Sequence, residues 1–326
     1  MKCINKRLLA IIISTIISIG ISGCGTFGYD LPYDVDSNTN AYKITGSALN
    51  SERMKPFAAD ICVADKDTNL DKVDINPALS GALFNRRTKE TIYSKSVNEK
   101  LHPASTTKVM TALLALKYGR LDDIITASSN VEIKESGAQL CGFKEGDRAT
   151  LDQVLNGLLI YSGNDAGIMI AEYISGSVED FAKLMNEEAK NIGATNTYFV
   201  NPHGLTEDEH LVTAYDLYLI FNEALKYDKF KQLIQTTEYQ STYTSKDGSQ
   251  KKLDFSATNR YITGKKDAPQ GVRVLGGKTG TTKAAGACLV LYSEGPSGDD
   301  YISVIMHSET TDSLYENMSS LLTLVH

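Results

Sequence analysis

The chain has 326 residues and a formal net charge of −7 at neutral pH, with 42% hydrophobic and 22% charged residues. That length is enough for one large domain with a sizeable core, and the balance is ordinary for a globular protein. An acidic chain with no long basic run is not built for nucleic acid. The cysteines and histidines fall in no Cys-x-x-Cys or Cys/His metal spacing, so no metal site is expected.

The first residues read as a targeting segment. Lys2, Lys6 and Arg7 give a positive start, and an apolar run follows from Leu8 to Ile21. About 14 residues fall short of the ~20 that a membrane span needs. The run ends in Ile21-Ser22-Gly23-Cys24, which resembles the lipobox of bacterial lipoproteins, where the Cys is lipidated and becomes the new N-terminus. Residues 1–23 are therefore expected to be a lipoprotein signal peptide and Cys24 a lipid anchor at the extracytoplasmic face of the cell membrane. An ordinary cleaved signal or an uncleaved anchor is the plainer alternative. Residues 24–55 are rich in Asp, Asn, Ser and Thr without periodicity and read as a polar tether. Cys62, Cys141 and Cys288 read as buried small hydrophobes, with a Cys62–Cys288 bridge left open.

Residues 60–65 look like a strand, and 66–77, with Pro77, like a loop. Residues 79–85 and 91–96 flank Arg86-Arg87-Thr88-Lys89 as a hairpin. From Ser105 the period changes: Val109, Met110, Leu113, Leu114 and Leu116 recur at helical spacing until Gly119. Further helical stretches cover 151–160, 165–175, 179–192 and 213–225. After a polar stretch around 241–252, strands return at 272–275, 277–282, 286–293 and 301–306, and a last helix covers 312–324. Strands at both ends enclose helices in the middle. The expected class is α/β (α+β): a mainly antiparallel sheet flanked by helices, with a helical insertion at about 120–225, in a catalytic domain over 56–326.

Three short motifs carry chemistry. In Pro103-Ala104-Ser105-Thr106-Thr107-Lys108, Ser105 and Lys108 are three apart at a helix start and so share a face. A serine hydroxyl needs a base to become a nucleophile, and Lys108 can be that base only when neutral, which burial and a second cation favour. A second Ser-x-x-Lys, Ser249 to Lys252, lies in a polar turn with nothing to desolvate the lysine. In Ser162-Gly163-Asn164, a polar loop interrupts two apolar helices; Ser96 and Ser128 start weaker copies of this pattern. A helix-capping role for Ser162 is as good a reading on this motif alone. In Gly276-Gly277-Lys278-Thr279-Gly280-Thr281-Thr282, strand glycines mark close approach of a ligand or backbone, and a peptide could add beside such an edge. Lys278 and Thr279 would then meet its terminal carboxylate. A Gly-rich surface hairpin is the bland alternative.

Taken in order on helix start, helix–helix loop and late strand, the three resemble the signature set of penicillin-binding proteins and class A β-lactamases. The stretches Pro103 to Ala112, Leu158 to Ala166, Asn201-Pro202-His203-Gly204-Leu205, His210 to Leu217 and Lys278 to Leu289 resemble low-molecular-mass D-alanyl-D-alanine carboxypeptidases of the serine peptidase type. The resemblance covers roughly residues 78–324. It implies the penicillin-binding transpeptidase fold and a substrate that is a peptidoglycan stem peptide ending in D-Ala-D-Ala. It also implies β-lactams as inhibitors and no cofactor. By the same resemblance Ser105 is the nucleophile, Lys108 its base and Ser162 a proton relay. Asn164, Lys278, Thr279, Gly280 and Thr281 bind substrate, with the Ser105 and Thr281 N–H groups as oxyanion hole. His203 and His210 read as structural.

This sequence departs from the family in two ways. Members often carry an Arg near the start of the final helix for the terminal carboxylate, where this chain reads Ser313-Leu314-Tyr315-Glu316-Asn317. Many also have a C-terminal β domain with an amphipathic anchor. Here the N-terminal lipid is expected to replace it. Two alternatives stand beside the carboxypeptidase. One is a β-lactamase, with Glu172, Glu179, Glu187 or Glu188 as a deacylating base. The other is a lipoprotein that binds peptidoglycan or β-lactams as a sensor.

Overall fold

Two near-continuous apolar strands form the centre of the computed structural model, which describes residues 60–326. The expected signal peptide, the tether and Cys24 lie outside the described residues. In chain order the strands are β1 (Ser80–Asn85), β2 (Glu90–Lys95), β3 (Ile124–Thr126), β4 (Arg148–Thr150), β5 (Glu238–Thr244), β6 (Gln250–Ser256), β7 (Arg273–Thr282), β8 (Gly286–Glu294) and β9 (Asp300–Ser308). The helices are α1 (Lys108–Tyr118), α2 (Leu151–Asn156), α3 (Asn164–Ser175), α4 (Val178–Asn191), α5 (Ala214–Ala224), α6 (Asp228–Gln235) and α7 (Thr311–Leu322).

The main sheet has the order β2-β1-β9-β8-β7, and its neighbouring strands pair antiparallel. Side chains alternate across a strand, and β8 buries both sets. Leu289 and Leu291 pack with Leu314, Met318, Leu321 and Leu322 of α7 on one face. Cys288, Val290 and Tyr292 join the larger core around α1 and α5 on the other. A strand covered on both faces reads as an unbroken apolar run. Helix α1 is buried all the way from Lys108 to Ala115, the pattern of a helix at the middle of a domain. Its N-terminal end faces the sheet edge formed by β7.

The fold class, the hairpin β1–β2 and helices α1, α3, α4, α5 and α7 follow the expectation closely. Several features differ. Helix α6 is not among the expected elements, and the 120–225 insertion carries the short strands β3 and β4 beside its helices. Residues 60–65 form no strand, because their backbone groups bond to side chains: Cys62 N–H donates to the Tyr218 hydroxyl at 2.8 Å, and the Thr91 hydroxyl donates to Val63 O at 2.7 Å. The two late strands at 272–275 and 277–282 are one strand, β7, with a register shift between Val274 and Gly276. The polar stretch at 241–252 lies within a hairpin, β5–β6, of a second sheet ordered β3-β4-β5-β6. That hairpin buries few large side chains, among them Tyr243, Leu253 and Phe255, and faces water elsewhere. Cys62, Cys141 and Cys288 are free thiols, with Cys62 and Cys288 buried.

Candidate active site

The three motifs converge at the start of α1. A short turn over Ala104–Thr107 carries Ser105 and runs straight into α1, whose first residue is Lys108. The Lys108 amine is fully buried and lies 2.8 Å from Ser105 Oγ, 2.6 Å from Asn164 Oδ1 and 2.7 Å from the His203 carbonyl oxygen. Burial first, and the Lys278 charge second, hold its pKa well below the usual lysine value, since a charge taken out of water is unfavourable. Neutral Lys108 has two N–H bonds and one lone pair. Asn164 Oδ1 and His203 O can only accept, so they take both hydrogens. The lone pair is left for the hydroxyl hydrogen of Ser105.

Ser162 is positioned by an interrupted helix. After α2 the chain widens into a π turn over Gly157–Tyr161, and Ser162 ends it with φ 70° and ψ 32°. Left-handed backbone is uncommon for a residue other than glycine, and such strain gathers at functional sites. The turn aims Ser162 Oγ at Lys278 Nζ, 2.9 Å away, and Lys278 also donates to the Thr279 carbonyl at 2.8 Å. Burial lowers the Lys278 pKa to about 7. Asn164 opens α3, and the next residue, Asp165, accepts N–H bonds from Cys141, Gly142 and Phe143 at 2.8, 2.8 and 3.1 Å. This carboxylate fastens residues 141–143 beside the motif loop.

Strand β7 closes the site. A Cβ on Gly280 would sit 2.7 Å from Ser105 N and 2.9 Å from Thr106 N, so only glycine lets this edge lie against the nucleophile turn. Ser105, Ser162, Asn164, Thr279, Gly280 and Thr281 all line one cleft of about 300 Å³. Lys108 and Lys278 sit buried beneath it. All eight candidate residues are therefore brought together.

The structure adds groups that the motifs did not reveal. The Asn201-Pro202-His203-Gly204-Leu205 loop works through its carbonyls: Pro202 O accepts from the Thr111 hydroxyl at 2.6 Å, and His203 O accepts from Lys108. A backbone oxygen leaves no residue-type signal, although the specific loop sequence marked the place. Thr258 Oγ1 lies 2.6 Å from Thr279 Oγ1 and lines the cleft, with no motif around it to betray it. At the end where family members often carry an Arg, Thr311, Leu314 and Tyr315 form the wall. The nearby cation is Arg260, whose guanidinium lies 5.1 Å from the Tyr315 ring centroid and 2.6 Å from Asp312 Oδ1. His203 and His210 are buried and neutral; His210 Nε2 lies 2.9 Å from Thr107 Oγ1. Ser249 is tied to Asp247 in the β5–β6 turn, and Ser128 caps a turn and bonds Glu172. None of Glu172, Glu179, Glu187 and Glu188 lines the cleft.

A family model described as D-alanyl-D-alanine carboxypeptidase matches residues 69–310. The chain is 40% identical over 221 residues to the D-alanyl-D-alanine carboxypeptidase DacF of Bacillus subtilis, covering 65% of this chain and 53% of that protein. It is 31% identical over 292 residues to DacC of Escherichia coli, covering 86% of this chain and 68% of that protein. The match thus spans little more than half the length of the Bacillus relative. The crystal structure of a Streptomyces DD-transpeptidase superposes with a TM-score of 0.70 at 26% identity, covering 76% of this chain and 96% of that one. The chain belongs to the D-alanyl-D-alanine carboxypeptidase family of serine peptidases.

Proposed function

We propose that this protein is a serine D-Ala-D-Ala carboxypeptidase that trims the terminal D-alanine from peptidoglycan stem peptides through an acyl-enzyme on Ser105. The observation that carries the reading is the Lys108 amine, buried, with its pKa held well below the usual lysine value by burial and by the Lys278 charge, standing 2.8 Å from Ser105 Oγ between two acceptors.

Lys108 takes the hydroxyl proton as Ser105 Oγ bonds to the carbonyl carbon of the penultimate D-alanine. The oxyanion is met by the N–H groups of Ser105, in a helix's first turn where they lack intrahelical acceptors, and of Thr281 across the cleft. Asn164 holds both Lys108 and the substrate amide. Ser162 gives its proton to the departing amine and takes back the one Lys108 had accepted, which returns Lys108 to its neutral form, while Lys278 holds the field and the C–N bond breaks to release D-alanine. Thr279, with Thr258 beside it, and Lys278 receive the terminal carboxylate in place of the family's arginine. Water then attacks the ester as Lys108 takes its proton, and the C–Oγ bond breaks as Lys108 returns that proton to Ser105 Oγ. β-Lactams acylate the same oxygen and leave slowly.

The lipobox-like Ile21-Ser22-Gly23-Cys24 supports a lipid on Cys24 that holds the domain at the outer face of the cell membrane. Cys24→Ala should release the protein from membranes or leave it unprocessed. A variant that stays processed and membrane-bound contradicts the anchor. The activity itself is tested by D-alanine release from a pentapeptide ending in D-Ala-D-Ala. Wild type should release it and Ser105→Ala should not; release by both would remove Ser105 from the mechanism.

A further inference from the structure

One of the two acceptors that orient Lys108 is a backbone oxygen, His203 O, at 2.7 Å. It belongs to the peptide plane between His203 and Gly204. That peptide is trans, so its C=O and N–H point in opposite directions. Gly204, at φ 87°, borders the plane, and glycine turns at little steric cost. A flipped plane would bring the Gly204 N–H to Lys108 in place of the carbonyl. The amine's lone pair would then be drawn to that N–H and away from the Ser105 hydroxyl. The base is aimed only while this one peptide keeps its face.

Asn201 grips the plane from its far side. Its Oδ1 accepts the Gly204 N–H at 2.7 Å and the His203 N–H at 3.3 Å, and its Nδ2 donates to Leu205 O at 3.0 Å. The side chain is buried, so a backbone group it released would be left unpaired at a cost. The loop cannot shift as a body. Pro202 O is tied to the Thr111 hydroxyl, and Gly204 lies against the Ala104 carbonyl, where a Cβ would collide. Rotation of the single peptide is the movement that remains. We infer that Asn201 is a positioning residue for acylation: it locks the His203–Gly204 peptide with its carbonyl towards Lys108 and so keeps the Lys108 lone pair on Ser105. The inference rests on the carboxypeptidase reading, in which Lys108 is the base.

Acylation of the purified full chain by a fluorescent penicillin, followed per labelled site against pH, tests it. Lys108 must be neutral to act, so its titration sets the acid limb. The titratable groups that face it are Lys278 of β7, Asp165 of α3, Cys141 before the motif loop, and His203 and His210. All are unchanged in the variants, so a moved limb reports the substitution. Asn201→Ala should slow acylation by about ten- to a hundredfold, the cost of a small misplacement. Its acid limb should move to lower pH, because an N–H facing the amine disfavours the charged form. Asn201→Asp still accepts the Gly204 N–H, so its plateau rate should return to near that of wild type. The added negative charge should move its limb the other way, to higher pH. A limb that stays at the wild-type pH in both variants, with loss confined to Tm and to the number of labelled sites, marks a structural role and overturns the inference. Amide exchange in the wild type checks it without a substitution. The Gly204 N–H should exchange as slowly as the amides of α1, and exchange at the rate of an exposed loop overturns the lock. A wild type that neither takes up penicillin nor releases D-alanine from a D-Ala-D-Ala peptide overturns the carboxypeptidase reading, and this inference with it.

Discussion

A lysine becomes a base at Lys108 because of where its three neighbours stand. Asn164 Oδ1 and His203 O accept without being able to donate, so the neutral amine can orient in one way only. Arginine could not serve, since it stays charged in proteins. Lys108→Gln should slow Ser105 acylation by about 10²–10⁴-fold, the usual worth of a general base, and Lys108→Arg should rescue none of it. Stopped-flow labelling with a fluorescent penicillin measures both. Lys278 gives a pH signature. Its pKa is lowered to about 7 by burial, so its positive charge is present below that value and lost above it. On the proposed function that charge attracts the terminal carboxylate, so kcat/KM of the wild type should fall on the alkaline side from near pH 7. Lys278→Met should lack that limb and show a raised KM. A wild-type profile that keeps rising through pH 9 would contradict this assignment.

At the scale of elements, the site depends on a strand that comes unusually close to a helix start. Gly280 is the contact, and Gly280→Ala, whose Cβ would stand 2.7 Å from Ser105 N, forces β7 away from it. Oxyanion stabilisation depends on such distances, so kcat should fall by about tenfold or more while thermal unfolding moves little. A matching loss of Tm and kcat would instead mark a general packing defect. The elements that hold the motifs were legible because each has a strong period or a clear stop: Val109 to Leu116 before Gly119, and the apolar runs of β8 and β9. The β5–β6 hairpin was not, because Glu238–Thr244 and Gln250–Ser256 bury only scattered residues and carry Lys, Gln and Thr on their open face. Residues 60–65 misled for the opposite reason. Their burial alternates as a strand's would, with Cys62 and Ala64 in and Val63 and Asp65 out, but Tyr218, Tyr215 and Thr91 side chains satisfy the backbone instead of a neighbouring strand.

At the scale of the whole molecule, distant segments are tied to the site by buried polar groups. His203 and His210 both have pKa values lowered to about 3, chiefly by burial. His210 Nδ1 accepts the Val200 N–H at 3.2 Å and its Nε2 faces Thr107 Oγ1, and both contacts suit the neutral ring. Unfolded histidine titrates near 6.5, so between about pH 6.5 and 3 the unfolded chain binds more protons than the folded one. Stability is therefore full above pH 6.5 and falls as the pH drops towards 3. Tm should decline over that range, and His210→Gln should make the decline shallower. An unchanged slope would show that acid acts elsewhere. The sequence motifs named the groups that face substrate, since those are side chains of fixed type. It could not name His203 O, Thr258 or Arg260, which owe their places to packing across more than one element.

The central claim is that one oxygen, Ser105 Oγ, becomes nucleophilic because Lys108 is buried and neutral beside it. Mass spectrometry of the protein after brief exposure to penicillin tests it most directly. The account predicts a single adduct of the antibiotic's mass on the peptide holding Ser105, absent from Ser105→Ala and forming at least about a hundredfold more slowly in Lys108→Gln. An adduct on another residue, or one that forms at the wild-type rate without Lys108, would contradict it.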